Sequence, residues 1–204
     1  FNNLITAATT FRVSATTGTN LSVGGITVLN PGGAITIQNG PGASGSPVAN
    51  TLTIGSGGID MSNATQSLVL SQDTANGSSF VIATSAAQTW TVRNQRTLTI
   101  SAPLTLGHDI DVGFTGGTQG GTDGTVVLGS TTTGITGAGD LSIPGMVGGA
   151  SATGAGGNVT LLGNNSTWAG AVTVGGGAVL NIDQSAAGQN KLADGQTLTI
   201  NRGQ

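Results

Sequence analysis

The chain of 204 residues has no cysteine, no tyrosine, no glutamate, one lysine and one histidine. Without cysteine there is neither a disulfide nor a thiolate metal site, and the compartment stays open. Glutamate and lysine are staple residues of surface helices because they lose little rotamer freedom there. Their near absence excludes a helical protein. Five Lys+Arg against eight Asp+Glu, with a pI near 4.5, leave no basic patch to neutralise phosphates. Nucleic acid and anionic membrane surfaces are therefore not expected partners. No apolar run reaches the roughly 18 residues that a spanning helix requires. The opening residues, FNNLITAATTFRV, lack the basic start, apolar core and small-residue cleavage site of a signal peptide. The chain begins with Phe1 inside what reads as a strand, as expected of a processed or excised piece of something larger.

What is abundant is glycine, at 37 residues, and threonine, at 32. A glycine-rich chain suggests disorder, but disorder requires low hydrophobicity and usually high net charge. Here 36% of residues are apolar, mean hydropathy is +0.17 and the formal net charge is −3. The apolar residues must therefore be packed, and in a β-rich form.

Short alternations of apolar and hydroxyl residues recur, bounded by Gly, Asn, Asp or Pro: TLTIG from Thr51, TLTIS from Thr97, NVTLL from Asn158, AVTVG from Ala171 and TLTI from Thr197. Period two buries one face and wets the other. Threonine, β-branched, suits a half-buried pleat. The first inward residues of successive units include Leu52, Leu68, Trp90, Val126, Leu141, Val159, Val179 and Leu198, mostly about 15 to 22 residues apart. A repeat of that size without helices predicts a parallel β-helix, a β-solenoid of nine or ten turns and about 45 Å in length. Glycine-rich corners such as NPGG at 30–33, GSGG at 55–58, ANGSS at 75–79, GTQGGTDG at 117–124 and VGGGA at 174–178 supply turns. The same Gly-Gly and Asn-Gly pairs suit hairpins, so a β-sandwich is the rival fold. Stacking also explains the low charge, because a repeated charge would lie about 4.8 Å from its copy whereas Thr, Ser and Asn can ladder. Positions 1–204 are expected to be one solenoid segment, within a longer rod or stacked end to end with copies of itself.

Residues 156–182, GGNVTLLGNNSTWAGAVTVGGGAVLNI, resemble the autotransporter-associated β-strand repeat of bacterial surface proteins. Gly163, Asn165, Trp168 (where the family usually has Tyr) and Gly170 fall in the family's order. QTWTVRNQRTLTISAPL at 88–104 and TGAGDLSI at 136–143 are similar to companion segments of such proteins. The resemblance covers about half the chain well and positions 1–80 only in style. It implies a right-handed parallel β-helix, exported and displayed at the bacterial surface.

Chemistry-bearing residues are few. Asp109 and Asp111 alternate onto one face of a strand in GHDIDVG, as weak candidates for a cation site or for the acid and base of a polysaccharide-cleaving β-helix. Period two turns His108 to the opposite face. One histidine without a nucleophile elbow leaves a Ser-His-Asp triad unsupported. GGTQGGTDG lacks the tandem copies of a calcium nonapeptide. Trp90 is expected in the core, whereas Trp168, in a corner-like setting, is a candidate for stacking on a glycan ring. Arg93 and Arg96 read as a solvated corner.

These readings predict a structural, extracellular or cell-surface segment, such as a passenger domain, adhesin stalk or fibre unit, with no catalytic activity and no cofactor. Its expected partners are itself or neighbouring repeats, with glycan or host surfaces ranked after them. The alternative is ice or crystal-surface binding through Thr-x-Thr pairs at Thr51/Thr53, Thr97/Thr99 and Thr197/Thr199. A polysaccharide-active enzyme ranks below both.

Overall fold

The computed structural model describes residues 1–2, 4–13, 20–40, 47–74, 77–116, 123–144, 156–183 and 192–201. Among these residues all regular structure is β, apart from a single 3-10 position at Gly77, and every strand pairing is parallel. Hairpins would give antiparallel pairs, so the chain is a β-solenoid and not a sandwich.

The first turn holds β1 (Thr9–Val13) and β2 (Leu21–Thr27), and the second holds β3 (Ile35–Asn39) and β4 (Ala49–Met61). The third holds β5 (Leu68–Ser71), β6 (Ser79–Thr84) and β7 (Gln88–Arg93); the fourth holds β8 (Thr97–Ile100), β9 (Leu104–Leu106) and β10 (Ile110–Thr115). The fifth holds β11 (Thr125–Leu128), β12 (Ile135–Gly137) and β13 (Leu141–Ile143). Beyond it lie β14 (Asn158–Leu161), β15 (Val172–Val174), β16 (Val179–Ile182) and β17 (Leu198–Ile200).

Three faces result. Face 1 is the sheet β1-β3-β5-β8-β11-β14-β16. The second sheet forks at β4, which turns a corner: Leu52 and Ile54 lie beside Ile82 and Thr84 of β6, while Ile59 and Met61 lie beside Trp90 and Val92 of β7. Face 2 therefore carries the first half of β2 and of β4, then β6, β9 and β12. Face 3 carries their second halves, then β7, β10, β13, β15 and β17. At the fork Gly58 has φ of 57°, and a Cβ there would run into the Thr89 carbonyl of the next turn. A side chain would both strain the backbone and block the stacking.

About five turns carry a strand on all three faces. In the sixth, face 2 is reduced to an isolated bridge between Gly137 and Trp168. The expected nine or ten turns are corrected, because successive alternation units are successive faces of one turn. Leu68 and Trp90, for example, lie on faces 1 and 3 of the third turn. The true repeat is the pairing register, in which Ile35 opposes Leu68 and Leu68 opposes Leu98. Seven strands on face 1 at about 4.8 Å span roughly 29 Å, shorter than the predicted rod.

The core is a set of columns along the axis. On face 1, Ile35, Leu68, Leu98, Val126 and Val159 are each fully buried, one above the next. Burying each such side chain contributes about 1.5 to 3 kcal/mol. TLTI at 97–100 shows the cause: Leu98 and Ile100 point in, Thr97 and Thr99 out. Of the predicted corners, 75–76 and 117–122 lie outside the described residues.

Candidate functional site

The corner that leads into β10 carries the sequence-predicted carboxylates. His108 and Asp109 are both exposed there, and Asp111 is exposed on β10 with Ile110 buried between the two acids. The period-two argument that set His108 opposite the acids does not reach it, because alternation begins at Ile110 and residues 107–109 are all exposed ahead of it. That stretch is held by Thr84, whose hydroxyl accepts from the His108 amide at 3.1 Å.

Asp109 is tied to the turn above it. Its Oδ1 accepts the backbone N–H of Asp140 at 2.9 Å, and Oδ1 of Asp140 in turn accepts that of Ala171 at 2.7 Å. Ile110 opposes Leu141 and Leu141 opposes Val172, which places Asp109, Asp140 and Ala171 in one column. Each carboxylate thus caps a backbone donor that the strand ladder does not reach. This corrects the expectation that aligned charge is avoided. Two carboxylates stack one rung apart because each faces solvent and each is matched with an N–H dipole. Asp140 was not singled out in the sequence, although its offset from Asp109 equals one turn of the solenoid.

Asp111 opposes Thr89 below and Ser142 above, so its neighbours along the face are hydroxyls. Among the described residues no three His, Cys, Asp or Glu side chains gather as a metal site would require. The arrangement offers backbone capping and a wet polar stripe, without a paired acid and base.

Trp168, the predicted glycan-stacking residue, is fully buried, and its Nε1 donates to the Gly139 carbonyl at 2.9 Å. No ring face is open to a sugar. Its indole fills the interior where face 2 of the sixth turn lacks a strand, and the buried Asn165 supports it from the preceding corner. Oδ1 of Asn165 accepts the Ile135 N–H at 2.6 Å. Trp90 is buried as expected, its Nε1 donating to Gln88 Oε1 at 2.9 Å.

The three Thr-x-Thr pairs fall on three different faces: Thr51/Thr53 on face 2, Thr97/Thr99 on face 1 and Thr199, with its partner Thr197 just ahead of β17, on face 3. They build no common array. Arg93 is exposed and Arg96 half-buried, flanking Gln95, whose φ of 64° is the sole left-handed non-glycine value among the described residues. Arg12 of β1 pairs with Asp73, just past β5 of the third turn, at 2.6 Å.

No family model, curated protein or solved structure matches this chain. Residues 156–182 span one complete turn, from β14 through Trp168 and β15 to β16.

Proposed function

We propose that the chain is a structural segment of an exported β-solenoid rod displayed at a bacterial cell surface, as a passenger domain, adhesin stalk or fibre unit, without catalytic activity. The observation that carries this reading is the distribution of exposed apolar side chains. Leu4, Phe11, Leu21 and Leu29 lie in the first turn or its approaches, and Leu198 and Ile200 in the last; Val179, also in the last turn, faces outward beside Asn158, and among the described residues the middle turns expose no large hydrophobic side chain. The flanks are therefore solvated and inert while the ends suit continuation of the stack. The export half of the reading is supported by the repeat resemblance and by the shortage of Lys and Arg, which leaves few sites for trypsin-like cleavage. Immunogold labelling of intact cells that make the full protein tests it: label on the outer surface is expected, and label confined to the cell interior overturns it.

A further inference from the structure

Six Asn-x-Ser/Thr triplets stand in the chain, beginning at Asn20, Asn63, Asn76, Asn158, Asn164 and Asn165. The triplet is the acceptor pattern for an N-linked sugar, and attachment needs an amide nitrogen and a hydroxyl that the fold leaves free. Asn76 lies outside the described residues. Asn165 is fully buried, and Asn158 is half-buried in β14 between Thr125 and Val179. At Asn63 the amide donates to Ser62 Oγ at 3.3 Å, and the Thr65 hydroxyl donates to the Pro31 carbonyl at 2.9 Å. Asn20 leads into β2, where Ser22 is held in the ladder beside Thr53, and its Oδ1 accepts the Thr51 N–H at 3.1 Å.

Asn164 differs on each count. Asn164 and Ser166 are both exposed and lie outside every strand, and among the described residues neither Asn164 Nδ2 nor the Ser166 hydroxyl has a protein partner. Asn164 Oδ1 accepts the Ser166 N–H at 3.1 Å, which ties the carboxamide to the residue that supplies the hydroxyl and leaves Nδ2 unengaged. The corner beneath is firmly held. Asn165 is anchored in the interior, its Oδ1 on the Ile135 N–H at 2.6 Å and its Nδ2 donating to the Leu162 carbonyl at 3.3 Å, while the Trp168 N–H closes the turn onto the Asn165 carbonyl at 3.0 Å. With the middle residue drawn inward, its two neighbours are left in solvent. The site lies on the flank of the sixth turn, which the following turn pairs on faces 1 and 3. Resting on the surface-display reading above, we propose that Asn164 carries an N-linked glycan. The donor class is a sugar activated through a diphosphate, on a nucleotide or on a lipid carrier. Nδ2 attacks the anomeric carbon, and a C–N bond forms as the bond from that carbon to the diphosphate oxygen breaks. The diphosphate leaves with the electron pair, and the amide proton goes to a base of the transferase. Such a group is bulky and solubilising, which suits a flank hydrated mainly by hydroxyl side chains.

The test is mass spectrometry of the full protein purified from the cells that make it. Chymotryptic cleavage after Leu162 and Trp168 releases GNNSTW, which holds both adjacent triplets. The peptide is expected to carry the mass of one or more sugar residues, with fragmentation placing them on Asn164. A single sugar points to the nucleotide donor and a preassembled chain to the lipid-linked one. Asn164→Gln and Ser166→Ala are each expected to abolish the added mass. Thr167→Ala spoils only the Asn165 triplet and is expected to keep it. Far-UV circular dichroism of all three variants should stay that of the parent. An unmodified peptide from protein that reaches the outer surface, sugar on Asn165 or Asn63 with none on Asn164, or added mass that survives Ser166→Ala overturns the proposal and leaves the display reading standing. A chain confined to the cell interior that still carries sugar on Asn164 overturns the display reading and leaves the site.

Discussion

Replacing Trp168 by alanine separates a buried structural tryptophan from a ligand-stacking one. The side chain is fully buried and stands where the sixth turn has only a bridge to Gly137 on face 2. Removing it empties a large interior volume, for which about 3 to 5 kcal/mol is expected. It also strands the Gly139 carbonyl, which accepts from Nε1 at 2.9 Å. Trp168→Phe retains much of the volume and loses that donor, so it should cost about 1 to 3 kcal/mol. Each turn touches only its neighbours, so the damage should be local. Urea titration followed by far-UV circular dichroism gives the size of the loss. Hydrogen exchange gives its place: amides of β13 to β15 should lose protection while those of β5 to β8 keep theirs. A Trp168→Ala variant whose stability stays close to that of the parent, or one that loses glycan binding at unchanged stability, refutes the reasoning.

Two further positions probe the corners. Asp109→Asn keeps an acceptor for the Asp140 N–H and removes one of two stacked charges, so at low ionic strength its urea midpoint should equal or exceed that of the parent; Asp109→Ala loses the acceptor and should cost about 0.5 kcal/mol, the low end of the range for a bond, because the site is exposed. Gln95→Gly relieves the left-handed φ of 64° and should raise stability by up to about 1 kcal/mol, less the extra freedom glycine brings to the unfolded chain. A thermal scan showing no gain for Gln95→Gly would mean that its side chain holds the corner in some other way.

The strands themselves were readable in the sequence. NVTL at 158–161 alternates between half-buried and buried as its pattern predicts, as does TLTI at 97–100. The turn length was not, because a three-faced turn contains several similar units and the order of inward residues does not say which share a level. Asp109 and Asp140 illustrate the loss: their spacing carries meaning only once the register Ile110 to Leu141 is known. Trp168 was misplaced for a related reason. Its neighbours, NNST before and Ala-Gly after, look like a solvent corner, yet the missing face-2 strand leaves a hole that the indole fills.

What the sequence by itself determined is what depends on a residue and its near neighbours: an all-β chain, its alternating strands, most of the side chains that turn inward (Val179, read as inward, faces out beside Asn158 while Leu180 and Ile182 point in) and the glycine corners, all set by the pleat and by local backbone freedom. What only the tertiary structure decided is what depends on which edges meet. The number of turns, the columns, the stacked carboxylates, the burial of Trp168 and the scattering of the Thr-x-Thr pairs over three faces all follow from hydrogen bonds between strands distant in the chain, such as those that set Ile35 beside Leu68 and Asn158 beside Val179. Those bonds join backbone groups that are alike at every position, so their register arises from the packing of the whole stack.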